Sequence, residues 1–128
     1  MNRALQYGIE VCKDRSISTI DAVMFDIDDT LIYRDGTPVP EMMKLYRFCA
    51  TLGYNMVIIT ARPYSIENAI WTRQQLAKFD IVPDRLILTP ASNKTKVKKM
   101  LKLNFVLSVG DQYTDLGGSQ YWIKLPAT

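Results

Sequence analysis

Histidine is absent from the whole 128-residue chain, and that omission removes entire classes of chemistry. Ser-His-Asp and Cys-His nucleophile systems, phosphohistidine transfer and nearly every zinc enzyme rest on an imidazole. Cysteine is scarce: Cys12 and Cys49 form no disulfide framework and neither sits in a C-x-x-C spacing. Glycine-rich nucleotide cradles are missing too, both the G-x-x-x-x-G-K-[ST] and the G-x-G-x-x-G kind. No stretch approaches the ~20 consecutive apolar residues of a membrane helix. The start, Met1–Asn2–Arg3, lacks the apolar core of a signal peptide, and the expected setting is reducing and cytoplasmic. A net charge of +3 is too small to argue for nucleic acid by itself. What remains to a catalyst is carboxylates, lysine, hydroxyls and a hard cation held by oxygen.

Against that background the segment Val23–Met24–Phe25–Asp26–Ile27–Asp28–Asp29–Thr30–Leu31 stands out. An apolar, strand-forming run ends abruptly in three acids and a hydroxyl. Such crowding costs repulsion unless a cation or a proton relieves it. Alternation along a strand points Asp26 and Asp28 the same way, with Ile27 opposed. Two carboxylates aimed together suit a metal ion, and suit a division of labour between nucleophile and general acid/base. A solvated turn or a helix cap is the plainer alternative, and for Asp29 it is the preferred one.

Strand and helix patterns then alternate along the chain. A helix is expected over Arg3–Lys13, a strand buried on both faces over Ala22–Ile27, and a short hairpin at Asp35–Gly36. Pro40 opens a helix with a Met42, Leu45, Cys49, Leu52 stripe that Gly53 ends. Asn55–Ile59 is a strand; Ser65 caps a helix that carries Ile66, Ala69, Ile70, Leu76 and Ala77 inward. Arg85–Leu88, Phe105–Val109 and Tyr121–Leu125 are strands, and Lys94–Leu103 is a helix with Val97, Met100 and Leu101 on its buried side. The expected fold is a single α/β domain over residues 1–128. It is a Rossmann-like three-layer sandwich with a five-stranded parallel sheet and helices on both faces. In such sheets ligands bind beyond the carboxyl ends of the strands. There the sequence places Asp26 and Asp28, then Thr60, Ala61 and Arg62, then Pro90 to Lys94, then Gly110, Asp111 and Asp115.

These residues resemble the four motifs of the haloacid dehalogenase (HAD) superfamily of phosphotransferases. Phe25 to Leu31 resembles the first, Ile58–Ile59–Thr60 the second, a lysine near 94 the third, and Gly110–Asp111–Gln112–Tyr113–Thr114–Asp115 the fourth. The likeness runs from about Ala22 to Pro126. With Leu116 and Lys124–Leu125–Pro126 behind it, the fourth motif looks most like the plant acid phosphatase and vegetative storage protein branch. The Thr60–Ala61–Arg62–Pro63 turn is similar to the phosphatase domain of polynucleotide kinase-type enzymes.

The resemblance implies a magnesium-dependent phosphomonoesterase. Asp26 would attack phosphorus and become an aspartyl-phosphate, and Asp28 would serve as general acid/base. Thr60 and Lys94 would bind the phosphoryl oxygens. Mg2+ would be held by Asp26, the Asp28 backbone carbonyl and Asp111, with Asp115 steadying the shell. Lys96 is the alternative to Lys94, while Lys98, Lys99 and Lys102 are expected on a solvated face. Arg62 either binds substrate or pairs with an acid. Trp71 and Trp122 are expected in packing roles. The short stretches on either side of Thr60 leave no room for a lid, so the cap is minimal and the site open. That favours a nucleotide, a nucleic-acid end or a phosphoprotein as substrate. A phosphotransferase and a non-catalytic storage or regulatory protein on the same fold are the other readings. No membrane partner is implied, and a homo-oligomer is left open.

Overall fold

The computed structural model describes residues 2–126. In chain order the elements are α1 (Asn2–Cys12), β1 (Asp21–Phe25), α2 (Pro40–Leu52), β2 (Asn55–Thr60), α3 (Ile66–Ala77), β3 (Arg85–Leu88), α4 (Lys94–Leu101), β4 (Asn104–Gly110) and β5 (Tyr121–Lys124). Short 3-10 turns at Ala91–Asn93 and Tyr113–Asp115 precede α4 and follow β4. The five strands form one parallel sheet in the order β3-β2-β1-β4-β5.

β1 takes the centre because both of its faces are apolar. Val23 and Phe25 join the larger core with α1, α2 and Leu76 of α3. Ala22 and Met24 join a smaller one that Val97 and Leu101 of α4 cover from the other side. Three helices therefore lie on one face and α4 alone lies on the other. Local signals set the helix ends. Pro40 stands in the first turn of α2; Gly53 closes it at φ 103°, with its N–H returned to the carbonyls of Ala50 and Cys49. Ser65 caps α3 by accepting from the Asn68 N–H at 2.9 Å.

The chain leaves β1 toward β2 and β3, then crosses under the sheet through α4 to β4 on the other side of β1. That reversal puts a switch point between the carboxyl ends of β1 and β4, where an open α/β sheet offers a crevice. Between β1 and α2 the chain makes only a tight turn and a hairpin, in which Tyr33 donates to the Thr37 carbonyl at 2.8 Å. No larger element stands over the crevice among the described residues.

Several expectations need correction. β1 ends at Phe25 and α4 at Leu101, both earlier than expected. Ile66, Ile70 and Ala77 of α3 face outward, as do Leu52 of α2 and Met100 of α4. Trp71 and Trp122 are 57% and 55% exposed rather than packed inside. For α3 and for Trp122 the reason is shared. α3 is laid over the edge strand β3, and β5 is the opposite edge, so each has less sheet to cover than a central element does. The largest error concerns Lys98, which is 1% exposed and lies inside the protein.

Candidate active site

Asp26 continues β1 past its last paired residue, its N–H donating to the Val109 carbonyl on β4 at 3.0 Å. The chain then turns hard. Thr30, Leu31 and Ile32 all donate to the Ile27 carbonyl at 3.0, 2.9 and 3.1 Å, and Asp29 takes a left-handed φ of 59°. Ile27 goes into the core, while Asp26 and Asp28 open on a cleft of about 340 Å³. Asp29 is set apart from it, accepting from Arg34 Nε at 2.7 Å.

The other strand ends close the cleft. Thr60 finishes β2 and is buried; its Oγ1 accepts from the Arg62 N–H at 3.3 Å. Arg62 reaches back to Asp28 with two bonds, Nη2 to Oδ1 at 2.9 Å and Nε to Oδ2 at 3.1 Å. Lys94, the first residue of α4, spans Asp26 Oδ1 at 3.1 Å and Asp115 Oδ1 at 2.5 Å. Lys96 is exposed. Asp111 follows directly on Gly110, and Asp115 folds back against that glycine: a Cβ there would lie 2.2 Å from Asp115 Oδ2. The same oxygen accepts from the Gln112 N–H at 3.1 Å. The structure thus gathers Asp26, Asp28, Thr60, Arg62, Lys94 and Asp111 around one cleft, with Asp115 buried behind it.

Comparison with known proteins bears on the same region. The sequence profile of the HAD superfamily, subfamily IIIB (acid phosphatase), matches residues 33–128. The chain belongs to that family. The matched span begins at Tyr33, after Asp26 and Asp28, so their place rests on the geometry above. Among solved structures, the class C acid phosphatase from Bacillus anthracis superposes with a TM-score of 0.67 at 15% identity, over 91% of this chain. The chain spans 61% of the length of that protein. Comparison with curated protein sequences returns no match.

This subfamily IIIB chain buries its charges in an order that matters. Burial pushes the Asp26 carboxyl up; Lys94 opposes the rise and Asp115 reinforces it, leaving the group at about 7. Lys94 is pulled down by burial, but Asp26 and Asp115 more than reverse this and its pKa ends raised. Asp26, Asp111 and Asp115 each offer an oxygen within 4.8 Å of the others. Three buried carboxylates facing one such ammonium fit a hard cation bound by oxygen. Of the three, Asp115 is the most committed, with one oxygen on Lys94 and the other on a backbone N–H.

Sequence reasoning missed Lys98. It stands one turn after Lys94 on the same helix face, and its Nζ donates to Ser108 Oγ at 2.9 Å, the Asp115 carbonyl at 2.5 Å and the Gly117 carbonyl at 2.7 Å. Burial lowers its pKa to about 8. All three protons of the ammonium are used, and they tie α4 to the loop that carries the acids. The i, i+4 spacing from Lys94 was the available signal. Composition hid it, because five lysines between 94 and 102 look like a solvated face.

Proposed function

We propose that this chain is a phosphomonoesterase working through an aspartyl-phosphate on Asp26. The observation that carries the reading is the placement of Asp26, at a strand end in a cleft, with Asp28 beside it, Lys94 at 3.1 Å and Asp111 close by. Family membership supports the reaction class. An Asp26 oxygen attacks phosphorus as the bond to the leaving alcohol breaks, and Asp28 gives that alcohol its proton. Water then attacks the phosphorus of the acyl phosphate, Asp28 takes the proton, and inorganic phosphate leaves the regenerated carboxylate. Thr60 Oγ1 and the Lys94 ammonium would hold phosphoryl oxygens. Asp26 and Asp111 would hold Mg2+, which neutralises charge so that a phosphate dianion can approach a carboxylate. Asp115 would keep Lys94 and the loop in place.

The metal reading has a signature apart from turnover. The Asp26 carboxyl titrates at about 7 in the fold against 3.8 as a free side chain. Between those values the folded state keeps a proton that the unfolded chain has lost. Stability therefore falls as pH rises through the window, and above about 7 the protein carries the full cost of a buried anion. A cation that binds the ionised carboxylate relieves this cost. Millimolar Mg2+ is expected to raise the melting temperature by several degrees at pH 8 and by little at pH 5. A shift equal at both pH values in differential scanning fluorimetry would take Asp26 out of the metal set.

On substrate, we infer a preference for esters larger than a simple sugar phosphate. Among the described residues no lid covers the cleft, and its surroundings expose Tyr64, Trp71 and Tyr113, apolar rings on which a base or a peptide side chain can rest. The rim cations argue less for a polyanion, because Arg34 and Arg62 are already paired with Asp29 and Asp28. The test is kcat/KM, with and without Mg2+, for a sugar phosphate, a 3′-phosphorylated oligonucleotide and a phosphopeptide. Release of inorganic phosphate from none of them removes the phosphatase reading. A sugar phosphate favoured a hundredfold, about 2.7 kcal/mol of transition-state preference, removes the large-substrate one.

A further inference from the structure

We propose that Arg62 is a positioning residue that holds Asp28 as the general base for the second half of the reaction; this rests on the aspartyl-phosphate reading above. Its guanidinium meets both Asp28 oxygens, at 2.9 and 3.1 Å. A planar fork on a carboxylate fixes the plane of the acid as well as its distance, which a point charge does not. The fork is itself braced. Nη1 donates to Thr72 Oγ1 at 3.2 Å, and the guanidinium carbon lies 5.3 Å from the Trp71 ring centroid. Thr72 is fully buried, and the Arg62 side chain is only 14% exposed although Asp28 is 39% exposed. α3 thus supplies a wall, the wall holds Arg62, and Arg62 holds the most exposed acid of the site.

The consequence falls on one step. Water that attacks the acyl phosphate must give up a proton, and a carboxylate held in one plane by the fork is aimed to take it. Both of its oxygens keep a further lone pair for that water. Formation of the acyl phosphate from an aryl ester needs little help from Asp28, because a nitrophenolate departs without a proton. Arg62 therefore matters most to breakdown of the covalent intermediate.

With p-nitrophenyl phosphate as the probe, the wild-type chain is expected to turn over without a burst. In Arg62→Gln, kcat should fall roughly thirtyfold, less than the hundred- to ten-thousandfold that general acid–base catalysis supplies because Asp28 itself remains, while kcat/KM stays within about threefold. Rapid mixing should then reveal a nitrophenolate burst close to one per active site. Arg62→Lys, which keeps the charge and loses the fork, should show the same pattern. Thr72→Val, which removes the brace from outside the cleft, should show a milder form of it, and these two variants carry the test if Arg62→Gln does not fold. A raised KM with unchanged kcat would make Arg62 a substrate clamp and overturn the proposal. A parallel fall of kcat and kcat/KM without a burst would reduce Arg62 to a structural role and overturn it equally. Failure of the wild-type chain to hydrolyse the probe counts against the phosphatase reading instead, so the two failures are distinguishable.

Discussion

Asp26→Asn is expected to abolish phosphate release while leaving the fold intact. The substitution keeps the size of the side chain and one acceptor oxygen, puts an amide donor in place of the other, and removes the charged oxygen proposed to attack phosphorus. Uncatalysed phosphate-monoester hydrolysis is among the slowest reactions known, so loss of the proposed nucleophile should leave little rate behind. The loss should reach many orders of magnitude, limited in practice by the assay background. Stability should move the other way. Above pH 7 the native protein holds a buried, ionised Asp26, and a neutral amide removes that cost. The variant should melt at or above the wild-type temperature at pH 8 in the absence of Mg2+, and its response to Mg2+ should shrink. Phosphate release above about one per cent of wild type in a purified sample would end the covalent mechanism.

The centre of the fold was legible in the sequence because its residues have only one use. A strand with both faces apolar must be central, and Val23, Met24 and Phe25 left no other place for β1. Pro40, Gly53 and Ser65 marked helix ends by their backbone chemistry alone. The candidate acids were legible for a different reason: nothing in folding wants Asp26, Asp28 and Asp29 together at the end of an apolar run. Fold class followed from alternation, and the family match and the superposition agree with it.

The edges were harder. Ile66 stands three and four residues before Ala69 and Ile70, which stand seven before Leu76 and Ala77, and such spacing by itself does not reveal how much sheet lies beneath a helix. α3 covers an edge strand and has room for little more than Thr72 and Leu76. Lys98 was hidden for the opposite reason. A buried ammonium needs three acceptors, and they come from Ser108 and from the carbonyls of Asp115 and Gly117. Two of those are backbone atoms, which no residue type announces. Arg62 was left between substrate and acid, and the choice depended on a turn after Thr60 whose direction the sequence did not specify.

Lys94→Met should produce the second large effect, and it separates Lys94 from its neighbour Lys96. The Lys94 ammonium is the cation between Asp26 and Asp115. Removing one partner of a buried ion pair leaves the other charge uncompensated, at a typical cost of about 3–5 kcal/mol. The cost should depend on pH with a definite sign. Burial already lifts Asp26 to about 7, and Lys94 works against that rise. Without it the folded-state value moves further above 3.8, so the native protein retains a proton that the unfolded chain releases. The destabilisation is then greatest near pH 8 and recedes toward pH 5, where a protonated Asp26 no longer needs the ammonium. Activity suffers twice. On the proposed mechanism the nucleophile spends more time neutral, and the transferring phosphoryl group loses a donor of the kind whose removal alone costs about a hundred- to a thousandfold. A fall in kcat/KM of at least roughly a thousandfold at pH 7 is expected. Lys96→Met, at an exposed position one residue pair along the helix, should leave both stability and turnover within about twofold of wild type. Denaturant melts at pH 5 and pH 8 beside steady-state assays of both variants decide the matter. A silent Lys94→Met and an inactive Lys96→Met would hand the phosphoryl-binding role to Lys96. A pH-independent loss of stability in Lys94→Met would mean that the buried acids draw their compensation from another group.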